Sequence, residues 1–275
     1  MESRRDERAV TVQIGAVLLL AIVFTALALY QVNVVPAENS AVEYEHNQQV
    51  HGEMHELRNA IKNVGTSGGS ESVSITLGTQ YPTRTFSMNP TDPAGTIRTS
   101  ETDVISIENA ALAEIDDRYT GDPDGLLGTK YETRTLSYEP SYNEYRNAPT
   151  TRIEHGFVFN EFTDASVALT EQPLIDGNQI TIVLVEGNLS TSSSGATTVD
   201  TRVLSGPTAP IDLRDDGSNI EIAVPTTSPN AWNESIGTEF GPASGEEHAK
   251  VTDYTDGRLT VELEGDTTYQ LRMAR

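Results

Sequence analysis

From Ala9 to Ala37 the chain carries no formal charge, and within that run Ile14–Val35 reads IGAVLLLAIVFTALALYQVNVV. No other stretch limits the fold so strongly. Twenty-two helical residues at 1.5 Å each reach roughly 33 Å, enough for a hydrocarbon core of about 30 Å. A buried core helix rarely stays apolar and uncharged for this length. Arg4, Arg5 and Arg8 precede the run and Tyr30 lies near its far end. Basic residues stay on the cytoplasmic side and aromatic rings favour the interface, so the expected orientation is N-terminus inside and the remainder outside. A cleaved secretory signal is the main competitor, with Ala26-Leu27-Ala28 as its small-x-small site. The apolar pattern runs on past that site through Val32, Val34 and Val35, which favours an anchor.

Residues 7–15, Glu-Arg-Ala-Val-Thr-Val-Gln-Ile-Gly, resemble the N-terminal signature of archaeal type IV pilins. In that family a charged leader ends in Arg-Ala or Arg-Gly, and a prepilin peptidase cuts ahead of the apolar helix. The resemblance places Ala9 and Val10 on the two sides of the cut. Thr11 stands where the family commonly has Ser, and Ile14-Gly15 match directly. Val12 and Gln13 depart from the Pro and apolar residue often found there. The resemblance implies subunit packing through the apolar helix, with other pilin-like subunits as partners beside the lipid bilayer.

Beyond Pro36, which can kink or break a helix, Val50, Met54, Leu57, Ile61 and Val64 recur at spacings of 4, 3, 4 and 3 and form one helical stripe. Gly65-Thr66-Ser67-Gly68-Gly69 supplies a stop. The expected organisation is a leader (1–9), a transmembrane helix (10–35), an amphipathic stalk helix (36–64), a Gly/Ser linker (65–70) and an extracellular β domain (71–275) of one or two subdomains. From Glu71 the period changes to two, as in Val73-Ser74-Ile75-Thr76-Leu77, Ile180-Thr181-Ile182 and Leu259-Thr260-Val261-Glu262-Leu263. Asp176-Gly177, Asp216-Gly217 and Asp256-Gly257 are hairpin turn pairs. The fold class is therefore mainly β with a long N-terminal helix, the domain being an antiparallel sandwich or meander. Tyr269–Met273 is expected to be the last meander strand, and 109–118 a short helix.

Residues 78–90 and 128–140 echo each other, sharing Gly, Thr, Tyr, Thr, Arg, Thr, Ser and Pro in order. This predicts two similar strands, each ended by a proline turn. Gln80–Thr85, Gly95–Thr99, Tyr142–Tyr145 with Ala148-Pro149, and Leu271–Arg275 are similar to stretches of a group of uncharacterised haloarchaeal membrane or secreted proteins. That resemblance implies a surface protein of a halophilic archaeon and no activity.

The charge agrees. Aspartate and glutamate number 41 against 18 lysines and arginines, for a net charge of −23, and the lysines are Lys62, Lys130 and Lys250 alone. Excess carboxylate with little lysine suits solubility in concentrated salt. It disfavours nucleic acid as a partner. The chain has no cysteine, which removes disulfides and thiolate chemistry.

No residues assemble into a catalytic, cofactor or metal site. The G-x-S-x-G match at 65–69 follows a helix and precedes a strand, the reverse of a hydrolase elbow. His51 and His55 have i, i+4 spacing without a third ligand, and Glu53 is at the wrong offset for a zinc protease. His46, His155 and His248 stand apart. Asp122-Pro123-Asp124-Gly125 lacks the acidic twelfth position of a calcium loop, which Tyr131 occupies. Asn188 and Asn233 are candidate N-glycosylation sites, since each begins an N-x-S sequon. The expected role is structural or adhesive. A singly anchored binding module that never polymerises is the alternative, and a surface hydrolase a distant one.

Overall fold

The computed structural model describes residues 3–114, 130–206, 209–240 and 248–274. The α-helix Ser3–Leu29 (α1) passes through a π-helical turn, Tyr30–Val34, directly into the α-helix Val35–Ser67 (α2). Pro36 does not end it. Proline brings no N–H to the ladder and crowds the carbonyl four residues back. The widened turn just ahead takes up that mismatch, and Val35 N–H bonds Tyr30 O five residues earlier. The apolar helix and the stalk are therefore one rod. From Val10 to Ser67 it holds 58 residues, roughly 87 Å. Its first part is long and apolar enough to cross a membrane, and its large apolar side chains from Val10 to Val34 are exposed.

α2 ends three residues beyond the expected stop. Gly68, at φ +77°, terminates it and donates its N–H to Val64 O. The buried face runs through Val35, Asn39, Glu43, His46, Asn47, Val50, Met54, Leu57, Ala60 and Val64. Ala60 takes the central position expected for Ile61, which packs at the edge.

The β domain is built in layers. Strand Ser70–Thr76 pairs with Ala196–Arg202, and a six-stranded sheet runs in the order Ser190–Ser193, Ala94–Thr99, Leu136–Ser141, Thr150–Glu154, Phe157–Glu161, Ser166–Ala168. One core joins Val50, Met54 and Leu57 of α2 to Val73, Ile75, Ile97, Tyr138, Ile153 and Val158. Strand side chains alternate between faces, so Phe157 and Phe159, flanking Val158, enter a second core. There two five-stranded sheets share a core. One contributes Ile105, Ile222, Val224 and Val261, and the other Ile180, Leu213, Tyr269 and Leu271. The helix Pro229–Phe240 (α3) adds Trp232 and Ile236. The chain is thus mainly β behind a long helix, with antiparallel pairing throughout the described strands except between Gln179–Val183 and Tyr269–Ala274, which run parallel.

Several local expectations need correction. Tyr269–Ala274 is not the edge of a meander. It lies between Gln179–Val183 and Ile211–Asp215, while Arg258–Leu263, its predecessor in the chain, belongs to the other sheet. Period-two alternation fixes which face is buried and leaves the neighbour open. Residues 110–114 form a strand, not a helix, and 115–118 lie outside the described residues. Asn109, at φ +58°, separates this strand from Asp103–Glu108, and the two enter different sheets. Asp256-Gly257 closes a two-residue hairpin with both φ values positive, as a type I′ turn requires. Asp216-Gly217 instead carries the chain from one sheet to the other.

The internal echo does not produce two similar strands. Its second copy holds strands Tyr131–Thr133 and Leu136–Ser141, with 128–129 outside the described residues; its first copy is an extended loop with no strand. The first copy lies against α2 and bonds to helix side chains, whereas the second finds sheet neighbours. The echo begins where Gly78 and, further on, Gly95 allow backbones to approach closely. A Cβ on Gly95 would sit 2.4 Å from Leu77 O and 2.6 Å from the Tyr138 ring, whose hydroxyl donates to that same Leu77 oxygen.

Candidate functional site: an apolar helix and its polar clasp

The side chains of α1 from Val10 onward are mainly apolar and exposed. Thr25 Oγ1 donates to Ala21 O at 2.8 Å, and in the following π turn Asn33 Nδ2 donates to Leu29 O at 2.9 Å. The backbone of Ala9 and Val10, the candidate cleavage pair, lies inside this helix, and the Val10 side chain is exposed.

The helix surface changes at Val35. From there the buried stripe is polar for three turns, and a loop of residues 77–93 together with the turn after Ser141 closes over it. Glu43, fully buried, is the centre. Its carboxyl oxygens accept the backbone N–H groups of Asn143 (2.8 Å), Glu144 (2.9 Å) and Tyr145 (2.6 Å), and the Tyr81 hydroxyl donates to it as well. Successive N–H groups converging on one carboxyl form an anion nest. Burial, then the bond to Glu43, holds the Tyr81 phenol above its ordinary pKa. One turn toward the N-terminus, Arg84 pairs with Glu38, donates to Asn39 Oδ1 at 3.0 Å and reaches Tyr30 Oη at 3.3 Å. At the lowest level Gln31 and Met88 exchange two bonds: Gln31 Nε2 donates to Met88 O (2.8 Å) and Met88 N–H to Gln31 Oε1 (2.9 Å).

One turn the other way, His46 Nε2 lies 3.0 Å from Thr76 O and Nδ1 2.6 Å from Tyr142 Oη. A carbonyl only accepts, so Nε2 donates and Nδ1 accepts the Tyr142 proton. Burial lowers the His46 pKa, opposed by the bond to Thr76 and the charge of Glu53. Glu53 binds the end of the first strand, accepting Thr76 N–H at 2.6 Å and Thr76 Oγ1 at 2.8 Å. The clasp is therefore a chain of polar pins from Gln31 to Glu53, fixing helix to sheet.

The other marked residues stay apart. His51 and His55 are half-buried, and both pKa values are lowered, chiefly by burial. Among the described residues no cluster of three His, Asp or Glu could hold a metal. The DPDG turn lies outside the described residues. His248 pairs with Glu264 at 3.2 Å. The G-x-S-x-G match covers the last three residues of α2 and the two glycines before the first strand, so its context is that of a helix stop. Asn188 is exposed on the loop between Gln179–Val183 and Ser190–Ser193, and Asn233 is exposed on α3.

One buried polar group escaped sequence reasoning. Glu154 is enclosed by the Thr226 hydroxyl (2.6 Å), the Thr227 N–H and hydroxyl (3.3 Å each) and Trp232 Nε1 (3.3 Å); burial raises its pKa against these bonds. Beside it His155 sits in a left-handed turn, φ +52°, with Nε2 bonded to Pro225 O at 3.0 Å. Both side chains are sealed in the fold, where no substrate reaches them. His155-Gly156 closes the hairpin between Thr150–Glu154 and Phe157–Glu161, a position where Asn-Gly is the usual signal.

His155 predicts an acid sensitivity. Burial pushes its pKa down to about 4 from an ordinary 6.5, against the bond to Pro225 O and the charge of Asp103. Between those values the unfolded chain takes up a proton that the folded chain refuses, so stability falls as pH falls through that window, by about 3 kcal/mol in all. Glu154, with a raised pKa, works in the opposite direction, so the whole-protein curve is a poor readout. The stability difference between the wild type and His155→Asn, which tolerates the same turn, isolates the effect. It should shift in favour of the variant as pH drops from 6.5 to 4, and a pH-independent difference would refute the assignment.

No protein-family profile matches the chain, and no solved structure matches it. It is 26% identical over 192 residues, 69% of its length, to a protein of Archaeoglobus fulgidus described only as uncharacterized. The chain spans about a third, 31%, of that relative.

Proposed function

We propose that this chain is a membrane-anchored, pilin-like surface protein of a halophilic archaeon. Its leader is cytoplasmic, α1 crosses the bilayer, and the β domain faces outward in a structural or adhesive role. The observation that carries this reading is the continuous rod. Its first part exposes apolar side chains all round, and its second is pinned into the β domain by a buried stripe. A secretory signal has no need of such continuity, whereas an anchor that transmits position from bilayer to domain does. The three arginines ahead of α1 support the orientation, and the pilin-like residues 7–15 support a cut between Ala9 and Val10. The acid excess supports the saline setting, and the archaeal relative agrees with the source. Asn188, exposed on a loop, is the better placed of the two sequons for a glycan, since Asn233 sits on a helix.

Protease added to intact cells tests the orientation. The domain should be digested while residues in and before α1 are protected; full protection of the domain would place it inside. In a separate preparation without protease, the detergent-solubilised protein should melt higher in molar salt than in dilute buffer, because repulsion among 41 acids is worst when screening is weak. A lower melting point in high salt would remove the halophilic part of the reading. Material sheared from cells distinguishes polymer from single anchor: filaments containing the protein are expected of a pilin.

A further inference from the structure

Phe86 and Met88 are 84% and 82% exposed, more than any other large apolar side chain among the described residues, those of the apolar helix included. In a chain of net charge −23 that placement needs a reason. Both belong to the loop 77–93, whose height along the rod is fixed. Met88 exchanges two backbone bonds with Gln31, and Arg84 ties the loop to Tyr30 and Glu38. The loop is also braced internally. Arg84 Nε donates to Asn89 Oδ1 at 2.9 Å, and Asn89 Nδ2 to Pro82 O at 2.8 Å.

Val35 is buried and Gln31 is bonded to Met88, so the part of the rod free to face lipid ends earlier than the expected Val35; the twenty residues from Val10 to Leu29 reach roughly 30 Å, the thickness of the hydrocarbon core. Tyr30 and Gln31 then lie at the boundary between acyl chains and headgroups, and so does the segment bonded to them. An aromatic ring and a flexible thioether are suited to that zone. We infer that Phe86 and Met88 insert into the outer leaflet as a second membrane contact, so that the clasp loop holds the β domain down on the lipid surface. This rests on the reading that α1 spans the bilayer. The occupant is lipid because the loop continues, at the same level, the exposed apolar surface of Tyr30, Val32 and Val34. The domain is then held at two points, and α1 has a fixed rotation relative to the bilayer surface.

The absence of cysteine makes the test direct. Thr85→Cys, exposed and adjacent to Phe86, leaves both apolar side chains in place and can carry a nitroxide label. The full chain is reconstituted in phosphatidylcholine vesicles, with labelled Leu20→Cys as the reference in the span and labelled Asn188→Cys as the aqueous reference. The label at 85 should collide with oxygen several-fold more often, relative to a water-soluble nickel chelate, than the label at 188. Phe86→Asp with Met88→Asp in the same background should return it to the aqueous value. An aqueous value at 85 with a deep value at 20 overturns the loop contact and leaves the span intact. An aqueous value at 20 overturns the span and the loop contact together. A label at 85 reached by neither collider means that protein, a neighbouring copy included, covers the loop, and overturns lipid as the occupant.

Discussion

Glu43→Ala should destabilise the protein by about 3–5 kcal/mol. The carboxyl group receives three backbone N–H groups and one hydroxyl, which lose this acceptor when it is removed. Each buried donor left unpaired costs about 1–3 kcal/mol, and part of that is recovered where the turn at 143–145 reaches water. Glu43→Gln keeps one acceptor oxygen and introduces an N–H₂ group facing donors, so an intermediate loss is expected. Two readouts apply in detergent: the melting temperature, and amide exchange at Asn143, Glu144 and Tyr145. Those three amides should lose protection before the core strands do, because the clasp opens first. Unchanged melting together with unchanged exchange in Glu43→Ala would mean that the nest does not hold the helix.

Trp232→Ala should cost about 3–5 kcal/mol by a different route. Trp232 is fully buried, packs edge-on against Phe157 with ring centroids 5.0 Å apart, and donates through Nε1 to Glu154. Truncation opens a cavity in the core shared by the two five-stranded sheets and strips Glu154 of a donor. Trp232→Phe separates the terms, since it retains most of the volume and loses only the N–H; its cost should be a minor part of the alanine value. The core around Val50, Met54 and Leu57 does not include Trp232. Protection of α2 amides should therefore fall less than that of Ile222 or Leu213. Equal losses for Phe and Ala would show that the hydrogen bond, and not packing, dominates.

Much of this architecture was legible because apolar spacing is a local property. The stripe Val50, Met54, Leu57 and Val64 marked a helix face, and the alternation at Val73–Leu77 and Leu259–Leu263 marked strands whose buried sides are as expected. The partner of each strand was not legible, since pairing depends on residues far along the chain, as the parallel placement of Tyr269–Ala274 illustrates. The fate of the echo is the same lesson. Arg84 meets Glu38 and Asn39 of the helix, while its counterpart Arg134 donates to Ser100 O. Pro36 marked a junction that can kink or break a helix within one long rod, and propensity did not reveal the wide turn at Tyr30–Val34 that absorbs the missing donor and keeps the rod continuous.

The clasp was hidden by its polarity. Asn39, Glu43 and His46 extend the stripe of Val50 and Met54 at helical spacing, yet polar residues on a helix in an acidic chain read as solvent-facing. The usable signal was the continuation of the stripe, combined with tyrosines at 81, 142 and 145 able to cover it. α3 was not anticipated; the signal that could have found it is Ser228-Pro229, a cap followed by proline at the first helical position, ahead of Ala231, Trp232 and Ile236, which the helix buries.

In the function proposed above, the apolar run is kept as an anchor and cut on its cytoplasmic side. The most direct measurement is the N-terminal sequence, by mass spectrometry, of the protein recovered from alkali-washed native membranes. The account predicts that the protein stays in the washed membranes and begins at Val10, with α1 intact. A soluble product beginning at Leu29 would contradict it and make the run a discarded signal.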